Sequence, residues 1–203
     1  MATNKIKNWA WSLLLLAYLI VRFFFTHWLD SLGTYSSYIL EFTLIAIAFS
    51  FDVSQLFSQF KLNKKLCLLA LLFAPFGFIV YKLAYVLQIA IPFDLKGTET
   101  LFFLLIIAPI LEESIFRFFI WTPLEKMHRT LAYFTTSILF SYSHFHAVWF
   151  VPEAVQGFIY YQTAYTFLLA LACGYSVLRY SSLAGAMLIH FLFNLGFYLA
   201  SFL

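Results

Sequence analysis

Charge is what this sequence has least of. Of its 203 residues only 10% are Asp, Glu, Lys or Arg, against 64% hydrophobic residues, and the mean hydropathy is +0.90. Soluble domains carry about 25% charged residues, so a water-soluble globular fold is excluded. Cysteine is scarce as well. Cys67 and Cys173 stand alone inside apolar runs without a CxxC pair, which excludes a disulfide framework; each reads as a small apolar filler. The net charge of +3 comes with lysines scattered between apolar runs and no basic stripe, so it is not a nucleic-acid footprint. There is no internal repeat, no low-complexity tract and no extramembrane domain of any size. The alternating segments of about 10 residues that mark an outer-membrane barrel are also missing.

What is there is a succession of long apolar runs, rich in the 27 phenylalanines. At about 20 residues per crossing, the chain reads as an all-α membrane protein. It is a single domain over residues 1–203, a polytopic bundle of about seven transmembrane helices. Spans are expected near 9–29, 36–57, 66–91, 99–122, 130–151, 160–178 and 182–202. Breakers support these limits: Asp30-Ser-Leu-Gly33, the cluster Lys61/Lys64/Lys65, Pro92-Phe-Asp94, Pro123, Pro152-Glu153 and Gly157. The first run is too long for a signal-peptide core, contains Arg22 and lacks a small-residue cleavage site, so it is read as the first span. Loop charges orient the bundle. With the N-terminus in the cytoplasm, Lys5, Lys7, Lys61, Lys64, Lys65, Lys126, Arg129 and Arg179 lie inside and only Lys96 outside. Seven spans then put the C-terminus outside. Asp52 is expected near the inner interface.

Against this apolar background, Leu101–Trp121 carries Glu112, Glu113 and Arg117. A charge at the bilayer centre costs on the order of 3 kcal/mol even on lenient scales, and such residues are functional candidates by default. Glu113 and Arg117 are four apart and can pair, with Pro109 just upstream; Glu112 is left for another task. The fifth span holds Phe140-Ser-Tyr-Ser-His144, whose aromatic can pack beneath the imidazole. The seventh holds His190-Phe-Leu-Phe-Asn194. With a rise of about 1.5 Å per residue, Glu112, His144, His190 and Asn194 lie about 15, 21, 12 and 18 Å from the inner ends of their spans. All four fall around the middle of a core about 30 Å thick. His27, His128, His146, Lys82 and Arg22 read as packing or snorkelling residues, with Arg22 or Lys82 available to pair with Glu41.

This set suits peptide hydrolysis by activated water. There is no GxSxG elbow and no HExxH motif, and neither cysteine has a partner. Glu112, with His144 as its hydrogen-bonding partner, would deprotonate the water and return the proton to the leaving amine. His190 and Asn194 would donate to the developing oxyanion, while the Glu113–Arg117 pair anchors the helix. Glu112, His144 and His190 would also make a zinc set. Two other classes fit the same residues. One is a non-catalytic bacteriocin-immunity or partner-binding scaffold; the other is a proton-coupled transporter.

The ordered series Glu112-Glu113-x-x-x-Arg117, Phe140-x-x-x-His144 and His190-x-x-x-Asn194 resembles the three motifs of the CPBP family, the CAAX-processing and bacteriocin-processing intramembrane proteases also called the Abi family. The resemblance covers residues 99–199, which would be the catalytic core. It implies packed helices around a central cavity and a glutamate-dependent, metal-free endopeptidase without cofactor. Glu112 and His144 would be catalytic, His190 and Asn194 on the oxyanion side, and Glu113, Arg117 and Phe140 supporting. The expected partner is a membrane-associated protein or peptide substrate cut in a bacterial inner membrane, and no nucleic acid.

Overall fold

The computed structural model describes residues 2–33, 35–51 and 53–203. The reading of Asp52 falls outside them, and the side chain of His27 is likewise not described. The described residues are helical and include no strand. Helix α1 covers 2–32, with a π-helical segment, Val21–Phe25, between Ala2–Ile20 and Thr26–Leu32. Helices α2 (Ser36–Phe51) and α3 (Val53–Gln59) follow, then α4 (Lys64–Val86). Helix α5 covers 98–125, and α6 (Arg129–Phe145) continues into a 3₁₀ turn, His146–Trp149. The long α7 (Glu153–Tyr180) and α8 (Leu183–Ala200) complete the chain. Helices α4 and α8 are long and apolar enough to cross a bilayer. Large apolar side chains, among them Phe24, Leu72, Ile79 and Tyr85, are exposed on the outer surface. Patches of that extent on a soluble monomer would drive association. This is an all-α membrane protein.

Several expected limits move, each for a local reason. Helix α4 stops at Val86 rather than near 91. Gln88 takes φ 56°, Ile89 N–H reaches back to Ala84 O at 2.9 Å and Gln88 N–H to Tyr85 O at 3.1 Å. This left-handed cap satisfies the last carbonyls before Pro92 is reached. Helix α7 begins at Glu153 rather than near 160. Pro152 stands at its N-cap and Glu153 in its first turn, where a carboxylate complements the helix dipole. Gly157, expected as a breaker, lies inside that helix. Helix α5 likewise runs past Pro123 to Glu125.

The core divides into two main clusters, and α5 contributes to both. Trp121 belongs to the cluster built on α4, α7 and α8, while Leu111, Ile115 and Phe119 pack with Trp11, Tyr18 and Ile45 of α1 and α2. Helices α4 and α8 cross in backbone contact. A Cβ on Gly77 would lie 2.0 Å from Phe193 O, and one on Gly196 1.8 Å from Ala74 O. Small residues at a crossing let membrane helices approach closely, and this crossing sets the position of His190 and Asn194. Helices α6 and α7 are laced by hydroxyls: Ser137 Oγ donates to Ala170 O at 3.2 Å and Ser141 Oγ to Thr163 O at 2.8 Å.

Substituting Gly196→Ala is expected to force the α4–α8 crossing apart and destabilise the protein by about 1–3 kcal/mol, the usual range for overpacking. Gly157→Ala, where no neighbouring atom lies within 4 Å, is expected to be neutral or to stabilise by about 0.5–1 kcal/mol. Thermal unfolding of both variants in the same detergent checks the contrast.

Candidate functional site

The guanidinium of Arg117 is wholly buried, with neither it nor Glu113 exposed at all. Nε donates to Glu113 Oε2 at 3.1 Å, Nη1 to Thr136 Oγ1 at 2.7 Å and Nη2 to Ala170 O at 2.8 Å. The second oxygen of Glu113, Oε1, receives the Nδ1–H of His190 at 2.9 Å. The expected Glu113–Arg117 pair is therefore present, and it is larger than the spacing indicated. It ties α5 to α6, α7 and α8 in one hydrogen-bonded chain. Arg117 lies in a π-helical segment, Ile115–Phe119, where Ile120 N–H reaches Ile115 O at 2.8 Å. Such insertions often accompany functional positions.

Phe140 is wholly buried and stands between the charged cluster and both imidazoles. Its ring centroid lies 5.1 Å from that of His144, 5.8 Å from that of His190 and 5.7 Å from the Arg117 guanidinium carbon. The expected packing of Phe140 against His144 holds, and the same ring also braces His190.

Asn194 Nδ2 donates to the carbonyl of Leu104 at 2.7 Å. That carbonyl is free for a reason written in α5. Phe103–Ile107 is π-helical, and Ala108 N–H bonds Phe103 O. The next amide in that register belongs to Pro109, which has no N–H. Asn194 fills the vacancy with one amide hydrogen and keeps the other.

Two cavities meet at the catalytic candidates. One, of about 290 Å³, has aromatic and aliphatic walls that include Phe140, Tyr165, Phe193 and Phe197; Glu112, His144, His190 and Asn194 all line it. The four residues expected to converge thus share one cavity. The other, of about 330 Å³, is polar and includes Tyr18, Arg22, Asp30, Tyr38 and Glu41 as well as Glu112 and His144. Each is close to the size of an ordinary ligand pocket, about 300 Å³ and upward.

One expectation needs correction. Glu112 and His144 are not hydrogen-bonded to each other. His144 Nδ1–H donates to Phe140 O at 3.0 Å, one turn back on its own helix, leaving Nε2 as its free nitrogen. Glu112 Oε2 is buried without a hydrogen-bond partner. A carboxylate oxygen and an imidazole nitrogen thus line the same space, both unengaged. Nor do Glu112, His144 and His190 form a metal-binding group; no set of three His, Cys, Asp or Glu side chains does so among the described residues.

Sequence reasoning missed the polar cavity. Tyr18, Arg22 and Glu41 lie far from the motifs along the chain, and each is a lone polar residue in an apolar run. Of the two roles open to Arg22, snorkelling or pairing with Glu41, the structure has the second: it approaches Glu41 at 3.8 Å, while Tyr18 OH donates to the same carboxylate at 3.4 Å. Lys82 is not the partner of Glu41; it lies over the Phe78 and Tyr81 rings at 5.8 and 6.0 Å. His146 packs between rings of Phe23 and Phe150, as a packing residue. Cys173 is buried with Sγ near Ala186 O, and both cysteines are free.

Glu112 and His144 thus face one apolar cavity inside a helical membrane protein. The family model described as type II CAAX prenyl endopeptidase Rce1-like matches residues 96–196, the segment carrying all three motifs. Through these residues the chain belongs to that family of CAAX-processing membrane proteases, part of the CPBP group. No curated protein and no solved structure matches the chain.

Breaking the buried pair tests its structural weight. Arg117→Met leaves buried Glu113 with His190 alone and removes the donors to Thr136 Oγ1 and Ala170 O, and is expected to cost about 3–5 kcal/mol. Arg117→Lys is expected to recover only part of it, because one ammonium cannot span the three divergent acceptors. Thermal unfolding in detergent measures both.

Proposed function

We propose that the protein is a glutamate-type intramembrane endopeptidase that cuts a membrane-associated protein or peptide. One observation carries the reading: Glu112 Oε2 without a partner and His144 Nε2 free line the same cavity as His190 and Asn194. Between the two free groups there is a place for water but no direct bond. Water held there loses a proton to Glu112 as its oxygen attacks the substrate carbonyl carbon, with His144 Nε2 accepting the water's second hydrogen bond. The carbonyl π electrons move to oxygen. Collapse of the tetrahedral intermediate breaks the C–N bond, and Glu112 returns its proton to the departing amine.

The oxyanion faces His190 and Asn194. Asn194 offers its remaining amide hydrogen. His190 is held by Glu113 through Nδ1–H, which leaves its Nε2 edge facing the cavity. Donors of this kind each contribute about 10²–10³ in rate. Glu113 and Arg117 act one step removed, by holding His190 in this orientation.

The pairing of an apolar with a polar cavity suits a substrate with a greasy anchor and a polar peptide backbone. A prenylated C-terminal CAAX segment is the substrate that the family description supports. The distribution of loop lysines supports residence in the plasma membrane with the N-terminus cytoplasmic and the C-terminus outside. Residues 99–199 form the catalytic core in this reading, and the preceding helices complete its polar wall.

Glu112→Gln and His144→Ala are each expected to lower cleavage of an S-farnesylated CAAX reporter peptide by at least about a hundredfold, with unchanged thermal unfolding. Full turnover by both variants would remove the catalytic assignment. Chelation followed by dialysis is expected to leave activity unaltered. Loss on chelation with recovery on adding zinc would replace the glutamate-type reading with a metalloprotease.

A further inference from the structure

Four residues line both cavities: Phe103, Glu112, His144 and Gln162. Any chain that passes from the apolar to the polar compartment crosses this wall. Two of the four are the hydrolytic pair and Phe103 has no hydrogen-bonding group on its side chain. Gln162 is therefore the remaining polar side chain at the crossing. It belongs to none of the three motifs.

Its backbone is well placed. Ser141 Oγ of α6 donates to Thr163 O at 2.8 Å, one residue from Gln162 and less than one turn before His144 on α6. The α7 carbonyl of Ala170 is held by both Arg117 and Ser137. Gln162 thus keeps a defined relation to the His144 ring. Its side chain is half-buried and lies beside the Tyr165 hydroxyl, a contact that occupies only part of its capacity. A carboxamide has two N–H donors and a carbonyl acceptor with two lone pairs. A peptide group presents the complementary N–H and C=O.

Resting on the peptidase reading above, we propose that Gln162 is a substrate-binding residue whose carboxamide hydrogen-bonds a peptide group adjoining the scissile bond where the substrate straddles the two cavities. The other donors at the site are already engaged in part. His190 spends Nδ1 on Glu113 and Asn194 one hydrogen on Leu104 O. Neither lies on α7, so Gln162 adds a contact from another helix lining the same cavity.

The test is a substitution cycle between protein and substrate. A fluorescent S-farnesylated CAAX peptide is compared with two depsipeptides, each with an ester oxygen replacing the N–H on one side of the scissile bond. Binding is measured in nanodiscs to the Glu112→Gln protein, with and without Gln162→Met or Gln162→Asn, and kcat/KM is measured in the active background. Gln162→Met is expected to weaken binding of the all-amide peptide roughly three- to tenfold, the scale of one net hydrogen bond. For one of the two depsipeptides it is expected to cause no further loss, with thermal unfolding unchanged. Equal losses for all three peptides, or no loss for any, would overturn the proposal. If the unsubstituted protein binds the peptide without cutting it, the peptidase reading falls while the binding cycle still decides Gln162. If it neither binds nor cuts, both fall.

Discussion

A guanidinium with no exposure to solvent sets the terms for this structure. Burying a charge is tolerable only when every polar contact around it is complete. Arg117 meets that condition with partners on three elements: Glu113 on its own helix, Thr136 on α6 and Ala170 on α7. Glu113 spends its second oxygen on His190 of α8. The four helices that carry the candidate site are therefore held by one network, and moving any of them breaks a hydrogen bond to a buried charged group. The aromatic ring of Phe140 closes the space between the network and the two imidazoles. Glu112 escapes all of this. One residue away in sequence, it faces the cavities and keeps an oxygen unbonded.

The prolines of α5 extend the same logic to the backbone. Pro109 leaves Leu104 O without an amide partner in the π-helical register, and Asn194 reaches it from α8. Pro123 has no N–H for Phe119 O, and Trp11 Nε1 of α1 donates to that carbonyl at 2.8 Å. In each case a missing hydrogen bond within one helix becomes a bond between two. An unpaired carbonyl in an apolar interior is costly, so the irregularities of α5 select specific neighbours. They also account for the π-helical turns beside the site, since a helix so interrupted can open its register at little extra cost.

The arrangement of cavities gives these constraints a functional meaning. The apolar cavity is lined mainly by α5, α6, α7 and α8, with His190 and Asn194 on its α8 wall, and α1 and α2 complete the polar one on the other side of Glu112. The wall between them consists of Glu112, His144, Phe103 and Gln162. A peptide held across such a wall presents its backbone where an unengaged carboxylate and an unengaged imidazole nitrogen both point at the same space.

Much of this was legible in one dimension. Composition alone demands a membrane bundle, because so little charge cannot solvate a soluble surface. The i,i+4 spacing of Glu113 and Arg117 predicts their pair, and the matching depths of Glu112, His144, His190 and Asn194 predict a shared cavity. Helix ends were less legible: Gln88 caps α4 by a left-handed turn that no residue preference announces, and Gly157 and Pro123 lie inside helices whose neighbours or first turns tolerate them. Tertiary structure alone decided the partners. That His190 bonds Glu113, that Asn194 serves Leu104, that His144 faces the same cavity as Glu112 without bonding it, and that Arg22, Glu41 and Gln162 enter the site all depend on distances between helices. Periodicity fixes which face of a helix a residue occupies. It carries no information about which other helix lies opposite, because that is chosen by close-packing and by the need to satisfy every buried polar group at once.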